Sequence, residues 1–160
     1  MTRFTYAVLL AFTGCFFGSS ADDPPDTMCT AMGCEDGFTI QFSARQPGAY
    51  TFDIVADGTV ISCTAELPLL PCGTPASQCS DARVFIGESG CALSDADHSL
   101  ENLTFSGVHP DTVTVTAHRD GAEIASQTFT PTYQRLAPNG EECGPICHNA
   151  SATLTLSDAP

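Results

Sequence analysis

The chain has 160 residues, nine of them cysteine, with no lysine and no tryptophan, and its nineteen acidic residues against five arginines leave a formal charge of −14. That length fits one domain with an apolar core of its own. So acidic a surface has little with which to neutralise phosphates, which argues against nucleic acid and anionic lipid, and the missing ε-amine removes P-loop, kinase and Schiff-base chemistry.

At the start, Arg3 precedes an apolar stretch from Phe4 to Phe17 that reads as an export signal, too short to span a bilayer. Two processing sites compete. Phe12-Thr13-Gly14-Cys15 resembles a bacterial lipobox, which makes residues 1–14 the signal and Cys15 the acylated residue. Ser19-Ser20-Ala21 fits ordinary cleavage, with residues 1–21 removed. Residues 15–35 then form an acidic tether and a cysteine-containing lead-in loop, and residues 36–160 a single β domain. Either route takes Cys15 out of the folding problem and leaves eight cysteines, an even set that reads as four disulfides in an oxidising compartment.

After Gly37, Phe38, Ile40, Phe42 and Ala44 alternate with polar residues, the mark of a half-buried strand. Gln46-Pro47-Gly48 turns the chain, and Tyr50, Phe52, Ile54 and Ala56 alternate up to Asp57-Gly58, a strong hairpin signal. A two-residue loop there sets Ala56 against Thr59, Ile54 against Ile61, Phe52 against Cys63 and Tyr50 against Ala65, with the apolar residues of both strands on one face. Pro47 to Pro68 aligns without gaps on Pro110 to Pro131, so Asp120-Gly121 turns a second hairpin of the same layout. Its return strand puts Ser126 and Thr128 inward and Phe129 outward, which points to a bulge. Further strands are expected over Arg83–Gly87, Leu103–Gly107 and Ser151–Ser157, and one helical turn within Ser94–Leu103. About seven to eight short strands with no long helix predict an all-β, immunoglobulin-like antiparallel β-sandwich stapled by disulfides.

No motif carries a reaction. Gly87-Glu88-Ser89-Gly90 resembles the nucleophile motif of chymotrypsin-like proteases, but every histidine follows the serine, and a turn explains it better. His118-Arg119-Asp120 spells the kinase triplet in a chain without lysine, and Asp120 is accounted for by the hairpin. Cys143 and Cys147 have three residues between them, where redox and haem motifs have two. A zinc site from Cys143, Cys147, His148 and the Cys29/Cys34 pair is weighed against disulfides, which export favours. Asp95-Ala96-Asp97-His98 lacks the glycine and distal glutamate of a calcium loop. Asn102-Leu103-Thr104 and Asn149-Ala150-Ser151 fit the glycosylation sequon, incidental in a bacterial exporter. Of the 105 possible pairings, the expected one joins Cys63 to Cys91, because Cys63 faces inward and needs a distant partner, and Cys72 to Cys79. The other four pair locally, Cys29 with Cys34 and Cys143 with Cys147, or across the two termini.

The Thr13-Gly14-Cys15 box, the Pro47-Gly48-Ala49-Tyr50-Thr51-Phe52 strand, the Asp57-Gly58 hairpin, Gly90-Cys91-Ala92-Leu93 and the stretch from Pro138 to Cys147 together resemble uncharacterised exported bacterial proteins, many of them predicted lipoproteins. These motifs specify a scaffold, so the resemblance implies fold and export and no reaction. The expectation is a non-enzymatic module with a structural or interaction role, in the outer membrane or at the cell surface as a lipoprotein, otherwise periplasmic or secreted. It has no catalytic residue, cofactor or metal, an unidentified protein or surface ligand as partner, and contact with membrane only through Cys15. The alternatives are a cysteine-redox protein using Cys143 and Cys147, and a ligand-binding sandwich for which only Tyr50 and Tyr133 are candidate stacking platforms.

Overall fold

The structure, a computed structural model, describes residues 28–157, so the export signal, both processing sites and Cys15 lie outside it. Alternation builds β1 (Gly37–Ala44), with Phe38, Ile40, Phe42 and Ala44 buried, and β2 (Gly48–Ala56), with Tyr50, Phe52, Ile54 and Ala56 buried. β3 (Thr59–Leu67) pairs with β2 in the expected register, Ala56 on Thr59 and Tyr50 on Ala65. β4 (Ser77–Cys79), β5 (Val84–Ser89) and a 3-10 turn at Asp95–Asp97 lead to β6 (Ser99–Ser106). β7 (Val113–Arg119) and β8 (Ala122–Phe129) form the second hairpin, and β9 (Gln134–Leu136) and β10 (Cys147–Thr153) follow.

These strands make a β-sandwich of two five-stranded sheets, ordered β5-β6-β1-β10-β9 and β4-β3-β2-β7-β8. Aromatic rings join the sheets, Phe42 on Phe52 at 5.2 Å and Phe38 edge-on to Phe129 at 6.1 Å between centroids. The described residues form ten strands where seven to eight were expected, because β4 and β9 are three-residue edge strands too short to show alternation. All neighbours are antiparallel except β1 and β10, which run parallel.

The two hairpins are related by a local two-fold axis. Asp53 of β2 pairs with Thr116 of β7, its own counterpart in the repeated layout. The symmetry extends to the turns, where Asp57 and Asp120 adopt φ of 47° and 52° and Gly58 and Gly121 follow at 81° and 82°, the left-handed pair that a tight hairpin loop needs. Asp57 N–H donates to Thr112 O at 3.0 Å while its Oδ1 accepts Thr112 N–H at 2.9 Å. Asp120 N–H donates to Ala49 O at 2.8 Å while its Oδ1 accepts Ala49 N–H at 2.9 Å. Each turn aspartate thus closes the start of the neighbouring hairpin.

The expected bulge lies on β8, where Ala117 pairs with Ala125 and His118 with Glu123, skipping Ile124. Beyond it the faces exchange. Ser126 and Thr128 move outward to hydrogen-bond Thr116 and Thr114 at 3.0 and 2.9 Å, and Phe129 turns into the core.

The disulfides are Cys29–Cys143, Cys34–Cys147, Cys63–Cys79 and Cys72–Cys91; the last two differ from the expected pairs, and the first two take the expected alternative across the termini in place of the local pairs. The Cys63–Cys91 and Cys72–Cys79 pairs are not formed because β4 sets Cys79 directly opposite Cys63, which leaves Cys72 to reach Cys91. The local Cys29–Cys34 and Cys143–Cys147 pairs are not formed because parallel strands begin at the same end of a sheet. The segments leading into β1 and β10 therefore run side by side and are bridged across the termini. Four disulfides fit an extracellular or periplasmic compartment.

Candidate functional site

Strands β5, β6, β1 and β10 turn their second face away from the core, and that face is concave. Alternation places Phe85, Thr104, Thr39 and Ser151 in one transverse row and Gly87, Asn102, Gln41 and Thr153 in the next. The groove over these rows has a volume of about 760 Å³ and extends to Glu35, Asp36 and Asn149 at one end. Over the two rows its lining is amide and hydroxyl, with Thr39 and Thr104 hydroxyls 3.4 Å apart and Thr104 donating to Asn102 Oδ1 at 3.1 Å, and the charged groups Glu35 and Asp36 stand at the end. Phe85 supplies the aromatic surface and is 48% exposed. Gly87 shapes the floor: a Cβ there would lie 2.5 Å from the Asn102 amide, so only glycine lets that side chain lie across β5.

At the end of the groove, three segments distant in sequence converge. Asp36 Oδ1 accepts the His148 backbone N–H at 2.6 Å and lies 3.0 Å from His109 Nε2. The His148 ring stands perpendicular to that of His109, 5.9 Å between centroids, and Tyr133 flanks His109 edge-on at 5.1 Å. The backbone hydrogen bond from His148, and then the bond with the His109 ring, hold the Asp36 carboxyl below its ordinary range, so it is a carboxylate at neutral pH. The Cys34–Cys147 bridge fixes this meeting, because Asp36 lies two residues after one cysteine and His148 follows the other. Gly107 N–H donates to Asp36 O at 2.8 Å and brings the His109 loop with it.

The other residues singled out in the sequence do not assemble into a site. Cys143 and Cys147 are 4% and 3% exposed and each is bonded to an N-terminal cysteine, so they form no redox pair with each other. Of the zinc ligands weighed above, the cysteines are consumed in disulfides and only His148 remains with its ring nitrogens unbonded among the described residues. Glu88 of the protease-like motif holds Ser77 and the Ala76 N–H, tying β5 to the loop before β4. Asp95 and Asp97 are exposed in the 3-10 turn, whereas His98 is buried and accepts the Leu69 N–H at 2.9 Å. Asp120 is a turn residue, as expected. Tyr50 points inward as expected and donates to Gln46 O, and Tyr133 donates to Pro110 O, so neither phenol is a platform.

Sequence reasoning passed over Phe85, although Val84 and Ile86 on either side mark it as outward-facing. Asn102 and Asn149 drew notice only as sequons, and both line the groove. Nothing in the sequence pairs Asp36 with His109, which lies 73 residues away. No family model matches the chain, and neither curated proteins nor solved structures include a match.

Proposed function

We propose that this protein is an exported, non-enzymatic binding module that holds a neutral, hydroxyl-rich ligand, a saccharide, in the groove over β5, β6, β1 and β10. The observation that carries the reading is the lining itself: two rows of amides and hydroxyls beside one exposed aromatic ring. Sugars present hydroxyls to paired donors and acceptors and an apolar C–H face to aromatic rings, and the groove lies in the size range of ligand sites. The groove lining contains no arginine and ends in Glu35 and Asp36, which disfavours anionic ligands. Four disulfides support export. In our reading Cys15 anchors the chain in a membrane where the lipobox is used, and the chain is otherwise periplasmic or secreted.

The scaffold is of immunoglobulin-like type on this view. The orders β5-β6-β1 and β4-β3-β2-β7-β8 follow the D-E-B and C″-C′-C-F-G strands of a variable-type domain. β10 takes the place of the first strand beside β1, and departs from that pattern in running parallel to it.

The test is binding of the mature protein to a broad glycan array, followed by calorimetry on the best oligosaccharide. Phe85→Ala and Asn102→Ala are expected to abolish retention while all four disulfides still form. No saccharide bound, or binding indifferent to Phe85, overturns the reading.

A further inference from the structure

We propose that Asp36, His109 and His148 form a binding site for a divalent transition-metal ion of the zinc class at the end of the groove. One carboxylate oxygen and one nitrogen from each ring all lie within 4.8 Å of one another. Donors on a single ion with bonds of about 2.1 Å lie at most about 4.2 Å apart, so a small rotation of the exposed His148 ring completes the set. The Asp36 carboxylate is divided in a way that suits a ligand. Its Oδ1 accepts the His148 N–H and the His109 Nε2–H, while Oδ2 has no hydrogen-bond partner among the described residues. His109 Nε2 also lies 3.1 Å from the His148 carbonyl, and it has to give up its proton if that nitrogen is the ligand.

The donor set selects the ion. Two imidazoles and one carboxylate suit zinc, copper or nickel, whereas calcium and magnesium take oxygen ligands. The scaffold is built before any ion arrives, since the Cys34–Cys147 bridge and the Gly107 to Asp36 backbone bond hold all three segments. Three protein ligands leave at least one coordination position for water or another donor. Asp36 lines the groove, whereas His109 lines a smaller pocket with Ala56, Asp57 and Pro110. None of this depends on what the groove itself holds.

The test uses the untagged mature protein, stripped with chelator, and Zn²⁺ alone. Calorimetry is expected to give one ion per chain, and Zn²⁺ to raise the thermal midpoint because it binds the folded form. His109→Ala and His148→Ala should each weaken binding roughly tenfold or more, while His118→Ala leaves it unchanged. Asp36→Asn keeps an oxygen for the His148 N–H and removes the charge, so it should bind weakly while retaining the fold and all four disulfides. Absence of saturable binding, or an affinity unchanged in the His109→Ala/His148→Ala protein, overturns the proposal. So does Asp36→Asn binding as tightly as the parent.

Discussion

His98 is 4% exposed, and its Nδ1 accepts the Leu69 N–H at 2.9 Å. An acceptor at Nδ1 puts the ring proton on Nε2, which is buried without a partner among the described residues. The buried ring thus makes one hydrogen bond and leaves its second polar atom unpaired. Removing the acceptor strands a buried N–H, so His98→Ala should lower stability by about 1–3 kcal/mol. His98→Asn sets its side-chain oxygen near the Nδ1 position and should recover part of the loss. Urea unfolding without reductant reads both, and equal midpoints for Asn and Ala would refute the assignment. Tyr133 shows burial acting in the other direction: desolvation, and then the nearby Asp57 and Asp111 charges, push its phenol up to about 12. A raised folded value means the neutral phenol is favoured by the fold. Its contribution to stability is complete below the unfolded value of about 10 and is lost as pH rises from there through the folded value. The difference in ultraviolet titration between the parent and Tyr133→Phe should have its midpoint near 12. A midpoint at the ordinary tyrosine value would mean that the Pro110 contact opens in solution.

The turn aspartates act at the scale of the element, since each belongs to one hairpin and closes the next. Asp57 accepts the N–H groups of Asp111 and Thr112, and Asp120 accepts that of Ala49. Glycine keeps the left-handed backbone and deletes only the carboxylate. Asp57→Gly and Asp120→Gly should therefore each cost about 1–2 kcal/mol, with Asp57 at the upper end because it holds two donors. The two turns lie at opposite ends of the β2–β7 pair, so the double variant should be additive within about 0.5 kcal/mol in the same unfolding measurement. A large coupling between them would contradict the separation that the two-fold axis imposes. The first hairpin was fully legible in the sequence because alternation and the Asp57-Gly58 turn specify the same register independently. In the second, Ser126, Thr128 and Phe129 disclosed a bulge, although its position at Ile124 needed the partner strand. β4 and β9 left no trace, since three residues cannot display a period.

For the whole molecule, composition and alternation carried the sandwich, and long-range arrangement was where sequence reasoning stopped. The groove arises from residues two apart on four strands that become neighbours only through strand order, and the Asp36, His109 and His148 cluster depends on the same order. The two terminal disulfides turned on a single fact, that β10 lies parallel to β1, which no local pattern encodes. That arrangement also sets how the terminal bridges share their effect. Cys29–Cys143 and Cys34–Cys147 each span more than a hundred residues, with separations of 114 and 113. They interleave in sequence, however, so once one is closed the other closes only the short circuit from Cys29 to Cys34 and from Cys143 to Cys147. A loop of about ten residues restricts the unfolded chain by about 3 kcal/mol and one of over a hundred by nearly 5. Replacing either pair with serines should therefore cost about 3 kcal/mol, and replacing both about 7–8, more than twice the single effect. Denaturant midpoints of the three variants under non-oxidising-exchange conditions measure this. Simple additivity of the two single losses would mean that the unfolded chain does not experience the two bridges as one interleaved pair.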